Sequence, residues 1–253
     1  MEFKYQATKK NTIIMLTNHL KLAFRGLLKN PLFTALNVFG LALGLAVSLL
    51  LFLHVQHELS FDAYHSRADR IHRVMVNAFW DPENPEKLAN APNVVGPAAK
   101  DNIPAVEQYA RLMKHGFGAS AFVTAGTNRL VEESLYWVDP GLVEIFDIPR
   151  IAGDLKAALT QPNTVALSRS AAIRYFGTSD PVGQTIKVDQ MPPLEVKAVY
   201  EDFPANSTLD AAIMGAFSTM EWANKNLVWS NASFETWLLR SEEHTSELQS
   251  RQC

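Results

Sequence analysis

Cysteine is almost absent from this chain of 253 residues, since Cys253 is the only one. A single thiol excludes an internal disulfide and any metal cluster held by cysteines. A domain without disulfides still fits the bacterial periplasm, where such bonds are permitted but not required. Strong charge of either sign is also lacking, because the formal net charge is −3. This balance provides no electrostatic footprint for nucleic acid, so we expect no nucleic-acid partner.

Motifs that carry chemistry are missing as well. The sequence has no G-x-x-x-x-G-K-[ST] phosphate loop, no G-x-S-x-G elbow and no H-E-x-x-H zinc motif. His54, His57 and Glu58 superficially resemble metal ligands on a helix, but polar residues at a helix end are the preferred interpretation. We therefore expect no catalytic residue, no cofactor, no metal site and no ATP hydrolysis by this chain itself.

One long apolar run organises what remains. Residues 31–53 carry no charged side chain, and about 20 apolar residues suffice for a helix to cross a bilayer. A buried core helix of this length would normally carry polar residues on one face. A cleaved signal peptide would have a shorter apolar core followed by a small-residue cleavage site, whereas here HVQHELSFDAYH follows. We predict one uncleaved transmembrane helix over residues 31–55.

The flanks of this run predict its orientation. Residues 1–30 are predicted to be a cytoplasmic extension, and within it residues 15–29 show apolar residues at helical spacing with cations between them. This pattern predicts an amphipathic helix on the inner leaflet, with Lys21, Arg25 and Lys29 facing lipid headgroups. The alternative is the start of an ordinary soluble helix. Because basic residues stay on the cytoplasmic side, we expect the chain after the span to be periplasmic.

Two glycines interrupt the apolar run at a spacing that favours helix packing. Gly40 and Gly44 form a G-x-x-x-G pair, which allows a second helix to approach closely. The pair suggests a partner helix without naming one.

Residues 56–239 are long enough for a folded domain. Short β-rich segments, separated by glycine, proline and polar residues, predict strands at 71–80, 106–113, 119–124, 129–138, 163–167, 184–188 and 194–200. Residues 81–97 are predicted to be a loop that leads into a short helix before Asn102-Ile103-Pro104. In the ambiguous stretch after Thr208, residues 211–218 are predicted to be a strand and residues 219–226 a helix. Asp139 and Pro140 predict the start of a short helix, and Ser168 the cap of a helix that ends at Gly177. This irregular order of strands and helices predicts an α+β fold.

Three groups of residues resemble the FtsX-like, MacB-type permease subunits of bacterial ABC transporters. The first is the opening LKLAFRGLLKNPLFTALNVFGLALGLAVSLLL, and the second is ELSFDAYHSRADRIHRV after the span. The third is more specific and runs through VDPGLVEIFDIPRIAGD, NTVALSRSAAIRYFGTSDPVGQTIKV and VKAVYEDFPANSTL. Their order and spacing resemble the family over most of residues 16–218.

The resemblance implies a subunit with four membrane spans and a large periplasmic domain between the first two. Such subunits pair as homodimers or heterodimers and bind a separate cytoplasmic ABC ATPase, whose motion passes through the membrane helices to the periplasmic domain. Gly177, Asp180, Pro181 and Gly183 form the conspicuous outer motif. We interpret it as a fold-signature turn without a catalytic role: Gly177 supplies a positive φ, Pro181 fixes a turn, and Gly183 lets the chain enter a strand.

The resemblance stops after Leu239. Residues 240–253 begin RSEEHTSELQS, which looks like translated sequencing-library adapter. The sequence therefore predicts an incomplete permease subunit of the bacterial inner membrane, consisting of the first span and a MacB-like periplasmic domain. The alternative is a single-pass membrane-anchored periplasmic binding or scaffold module. An anchored periplasmic enzyme is disfavoured because no catalytic constellation is visible.

Overall fold

The computed structural model describes residues 15, 18–19, 21–22, 25–78 and 86–242. The chain divides into two compact units, Met1–Leu59 and Ser60–Cys253. Most of the predicted adapter-like tail lies outside the described residues. Parts of the predicted interfacial helix and residues 79–85 also lie outside them.

The first unit contains the long helix α1, Pro31–Leu59, which is the one described helix long and apolar enough to cross a membrane. None of its residues is buried within the chain, which is the opposite of what a core helix of a soluble domain shows. The described residues between 15 and 29 are also helical, and the chain bends at Asn30. The Thr34 hydroxyl spans this bend, donating a hydrogen bond of 2.8 Å to the carbonyl oxygen of Leu27.

The second unit is built on strands that the sequence predicts only in part. The thirteen strands of the described residues are β1 Ile71–Arg73, β2 Val76–Ala78, β3 Glu86–Leu88, β4 Val106–Lys114, β5 Ala121–Ala125, β6 Asn128–Glu132, β7 Leu135–Val138, β8 Arg150–Gly153, β9 Thr164–Ser168, β10 Thr185–Val188, β11 Leu194–Tyr200, β12 Ile213–Ala216 and β13 Glu235–Arg240. The helices that follow α1 are α2 Val95–Asn102, α3 Leu142–Ile145, α4 Leu155–Thr160, α5 Arg169–Phe176 and α6 Glu221–Lys225.

Eleven of the described strands form one mixed sheet. Its order is β1-β13-β4-β7-β12-β9-β11-β10-β5-β6, and β8 pairs with the free part of β11. Within this sheet β7 runs parallel to β12 and β9 parallel to β11, while the other described pairs are antiparallel. Mixed strand directions with short helices confirm the predicted α+β class.

Both faces of the central part of the sheet, around β9, are covered by apolar side chains. In β9, Val165 and Leu167 enter one core and Ala166 enters the other, because successive side chains of a strand point to opposite faces. The first core contains Tyr175 of α5, and the second contains Phe146 with the helices α3 and α4. Double coverage explains why β9 is apolar almost throughout.

Two predicted strands are divided in the structure. The predicted strand 71–80 is wrong as one continuous strand: within its described residues, β1 pairs with β13, and β2 pairs with β3 in a separate two-stranded sheet. That pairing also places a strand, β3, in the segment predicted to be a loop. The predicted strand 129–138 divides after Glu132, because the Glu132 carboxylate accepts the N–H groups of Glu133 at 3.2 Å and Ser134 at 3.1 Å.

The predicted helix start at Asp139 and Pro140 is wrong in its details. Helix α3 begins later, and Gly141 occupies its N-cap position without a side-chain cap. The Asp139 carboxylate instead binds the buried guanidinium of Arg111 through two hydrogen bonds of 2.7 and 3.0 Å. A bidentate, charge-assisted pair is stronger than a neutral cap, so Arg111 takes the carboxylate.

The caps of α5 are confirmed. The Ser168 hydroxyl accepts a hydrogen bond from the N–H of Ala171 at 3.2 Å, and the helix ends at Gly177 with φ 70°. Besides β3, the elements β8, α4 and β13 are absent from the sequence prediction.

Candidate functional site: the segment that follows the apolar helix

The residues immediately after α1 are held to the folded domain by a carboxylate. Asp62 accepts the N–H of Thr208 at 2.8 Å and the Thr208 hydroxyl at 2.5 Å. Its own N–H donates to the carbonyl oxygen of Asn206 at 3.0 Å. Asp62 has φ 55°, a left-handed conformation that aspartate tolerates better than most residues. The segment therefore turns at Asp62 and is fixed there from three directions.

The loop before β12 extends this attachment back to the start of the unit. The Asn206 amide donates to the carbonyl oxygen of Ser60 at 2.9 Å and to its hydroxyl oxygen at 3.1 Å. The Tyr64 and Ser207 hydroxyls lie 2.9 Å apart. We call the residues Ser60–Arg70, with their partners on the domain, the junction.

A second set of junction contacts joins the loop after α3. The N–H of Asp147 donates to Nδ1 of His65 at 3.2 Å, and the N–H of Ser66 donates to the Asp147 carboxylate. The His65 ring lies edge-on to Phe146, with 4.9 Å between centroids. This reciprocal pairing anchors the segment to the second core.

Arginines complete the junction. Arg67 donates to the carbonyl oxygen of Glu144. Arg70 is buried and donates from Nε to the carbonyl oxygen of Arg240 at 2.7 Å, and it forms ion pairs with the carboxylates of Glu107 and Glu242. Multiple charge-assisted bonds of this kind fix geometry better than single ones.

The electrostatics of the junction favour a neutral histidine beside ionised acids. Burial lowers the pKa of His65, and the nearby carboxylates of Asp62 and Asp147 oppose this effect. The N–H of Ser66 lowers the pKa of Asp147. Burial raises the pKa of the Tyr64 hydroxyl. At neutral pH the hydrogen bond from Asp147 to His65 therefore has the unprotonated nitrogen it requires.

The junction unites stretches that are distant in the chain. Ser60–Arg70 contacts helix α3 and the loop that follows it, the loop of Asn206 and Thr208, and the strands β4 and β13 through Arg70. A sequence-family model described as the MacB-like periplasmic core domain matches residues 34–250. The chain belongs to this family. The resemblance found in the sequence is thereby confirmed.

Solved structures show the same fold. The MacB-like domain is similar to a domain of a protein provisionally named a permease from Porphyromonas gingivalis, with a TM-score of 0.57 and 21% identity over 69% of this chain and 76% of that one. It is also similar to the periplasmic region of MacB from Actinobacillus actinomycetemcomitans, with a TM-score of 0.50 and 15% identity over 76% of this chain and 81% of that one. No curated protein matches by sequence.

The structure places the predicted site residues in separate regions. Lys21, Arg25 and Lys29 lie at exposed helical positions before α1. Gly40 and Gly44 are exposed on α1, and a Cβ atom added to either would meet no other atom of the chain within 4 Å. These roles in lipid contact and helix packing stay predictions.

The fold-signature turn lies after α5, away from the junction contacts. Gly177 and Gly183 have φ values of 70° and 85°. The N–H of Gln184 donates to the carbonyl oxygen of Pro181 at 3.0 Å, and the Asp180 carboxylate is 3.4 Å from the N–H of Val182. The turn is held by local hydrogen bonds of its own, and the proposed role as a family signature stays a prediction.

Sequence reasoning gave no role to the residues that form the junction. Asp62, His65, Asp147 and Thr208 were all inside the stretches that carry the family resemblance, and that was their only signal. Within the described part of the chain, no three His, Cys, Asp or Glu side chains are grouped to hold a metal ion. The junction connects chain segments through side-chain and backbone hydrogen bonds.

Proposed function

We propose that this chain is the front part of a membrane-spanning permease subunit of a bacterial ABC transporter. In this proposal a separate cytoplasmic ATPase hydrolyses ATP, and the resulting movement of the membrane helices is passed to the periplasmic domain for export or extrusion. The chain itself is not an enzyme. The observation that carries the proposal is the junction, because it fixes the residues that directly follow α1 within a domain of the MacB-like family.

The chemistry of the junction suits the transmission of movement. A flexible linker would absorb a displacement of the helix end. Here Ser60, the first residue after α1, already accepts hydrogen bonds from Asn206, and the bonds to Asp62 follow two residues later. In this proposal, a displacement that reaches Ser60 passes to the loop before β12 and to the loop after α3.

The membrane part of the proposal rests on composition. The basic residues before α1 favour a cytoplasmic N-terminus in the inner membrane, with Lys21, Arg25 and Lys29 contacting anionic headgroups. Gly40 and Gly44 leave an open strip on α1 against which another span of the permease, or of a dimer partner, packs. Contacts with the ATPase belong to later parts of the permease that lie beyond this chain.

Topology provides the first test. Alkaline phosphatase fused after residue 239 is expected to be active, because that enzyme folds in the periplasm, and a cytoplasmic fluorescent reporter at the same position is expected to be dark. The genomic reading frame past residue 239 is expected to encode three more apolar runs of about 20 residues. A natural stop codon there would instead support a single-pass anchored binding module, and a cytoplasmic reporter signal would overturn the orientation.

Coupling provides the second test. In the complete permease with its ATPase, Asp62→Ala is expected to leave ATP hydrolysis within about twofold of the parent while transport falls by about tenfold or more, since the broken step follows hydrolysis. Asp180→Ala, in a turn outside the junction, is the matched control and is expected to retain transport. Equal transport by the Asp62→Ala and parent permeases would contradict the proposed route.

A further inference from the structure

The sheet face formed by β10, β5 and β6 has a regular grid of exposed side chains. In one row Thr124 stands directly opposite both Arg129 and Lys187. In the next row Phe122 stands opposite Val131, and the N–H of Asp189 donates to the carbonyl oxygen of Phe122. The opposite face of β10 and β5 is buried in the first core. One face therefore builds the domain, and the other is presented to solvent.

The grid contains an open pocket of about 980 Å³. Phe122 forms part of its wall and is 50% exposed, and Met191 is a second apolar wall residue. Ligand pockets of drug size usually span about 300–1,000 Å³. An exposed aromatic ring in a recess of this size offers a surface on which a flat ligand can stack.

The charges around the ring favour an anion. Arg129 and Lys187 flank it and form no ion pair with another residue in the part of the chain that the structure describes. The guanidinium carbon of Arg129 lies 5.0 Å from the centroid of the Phe122 ring. Stacking holds the planar guanidinium in place, so less conformational entropy is lost when it binds a carboxylate or sulfonate.

The one acidic group in the pocket is already engaged. The Asp189 carboxylate accepts the N–H of Phe122 at 2.9 Å, and its other oxygen lies 2.9 Å from Nε2 of His115. Burial alone would raise the pKa of Asp189, but these hydrogen bonds lower it. The acid is thus fixed at one end of the grid. The charge of Arg129 also lowers the pKa of Asp189, but neither Arg129 nor Lys187 forms an ion pair with it.

We infer that this face binds a small aromatic anion, with its ring against Phe122 and its carboxylate or sulfonate between Arg129 and Lys187. Neighbouring strands are about 4.8 Å apart, so the backbones that carry the two cations are about 10 Å apart, with Thr124 between them. A ligand with two fused rings and one acidic group is long enough to cover the surface between these two backbones. The site is independent of the junction and of ATP-driven coupling.

The test uses the full chain in uncharged detergent with 2-naphthalenesulfonate as the probe and its neutral sulfonamide as the matched ligand. Binding is followed by saturation-transfer NMR. The sulfonate is expected to bind the parent about tenfold more tightly than the sulfonamide, and its affinity should fall as salt is raised, because exposed charges are screened. Equal binding of the two ligands would overturn the anion site and indicate a merely apolar surface.

Variants separate the two parts of the site. The double variant Arg129→Gln with Lys187→Gln is expected to lose the preference for the sulfonate. Phe122→Ala is expected to lower the affinity for both ligands about fivefold, because one exposed stacking partner is lost. Lys225→Gln, which removes an exposed cation on α6, is the control and should bind like the parent. Thermal unfolding monitors the fold of each variant. Unchanged sulfonate binding in the double variant would refute the assignment.

Discussion

Replacement of Asp62 dissects the junction most directly. The Asp62 carboxylate accepts two hydrogen bonds from Thr208, and its backbone has φ 55°. Hydrogen bonds to charged groups contribute about 1.5–3 kcal/mol each when buried, and because Asp62 is only half-buried we expect about 2 kcal/mol for the two together. Alanine in the left-handed region adds about 1 kcal/mol of strain that glycine avoids.

These magnitudes predict an order of local stability among three variants. Asp62→Asn keeps a neutral acceptor and tolerates the backbone conformation, so it should lose about 1 kcal/mol. Asp62→Gly loses both bonds without strain and should lose about 2 kcal/mol, and Asp62→Ala about 3 kcal/mol. Since about 1.4 kcal/mol is a factor of ten, amide exchange at the junction should accelerate by about 5-fold, 30-fold and 100-fold respectively.

Hydrogen exchange followed by mass spectrometry measures the effect locally. Peptides that cover residues 60–66 and 204–210 should accelerate together, because the hydrogen bonds of Asp62 join these two segments. Peptides from β9 should not change, and Asp180→Ala should leave all of them at the parent rate. Unchanged exchange in Asp62→Ala would refute the proposed attachment. Equal rates for the alanine and glycine variants would refute the argument from backbone strain.

Three further predictions concern the folded domain. Removing the buried partner in Arg111→Ala leaves the Asp139 carboxylate unpaired and should lower the free energy of unfolding in urea by about 3–5 kcal/mol. The pKa of His65 in the folded chain lies below its unfolded value of about 6.5. The unfolded chain therefore takes up more protons as the pH falls through that value, and the free energy of unfolding should drop between pH 7 and pH 5. Urea midpoints should show a smaller drop in His65→Gln. Gly153→Ala should prevent folding, because the added Cβ would lie 2.0 Å from a backbone oxygen of β11. At Gly177 an added Cβ meets open space, so Gly177→Ala should lower the free energy of unfolding in the same urea titration by only about 1 kcal/mol, through backbone strain.

Local signals explain which parts of the fold were predictable. The helix α5 is bounded by a serine that caps it and a glycine at positive φ, and both effects act within a few residues of the chain. The apolar run that becomes α1 is likewise a local property of composition. Such elements are visible in a sequence because the interactions that end them involve near neighbours.

Long-range pairing explains what was missed. The sequence of β13 gives no clear alternation, and it becomes a strand because β1 and β4 hold it on both sides. The carboxylate of Asp139 lies where a helix cap belongs, yet Arg111 on β4 binds it. The junction residues show the same limit, since Asp62 and Thr208 are ordinary polar residues until the fold brings them together.

The place of β13 in the sheet has a consequence for biogenesis. This strand lies between β1 and β4, and it pairs Glu235 with Leu112 and Leu239 with Ile71. Because the polypeptide is synthesised from its N-terminal end, β1 and β4 are complete long before the strand that separates them. The edges of β1 and β4 that face β13 thus stay unpaired until β13 is available, and unpaired strand edges can pair with other chains. Newly made copies therefore expose these strands during that interval, and the closing step is slow because its contacts span most of the domain.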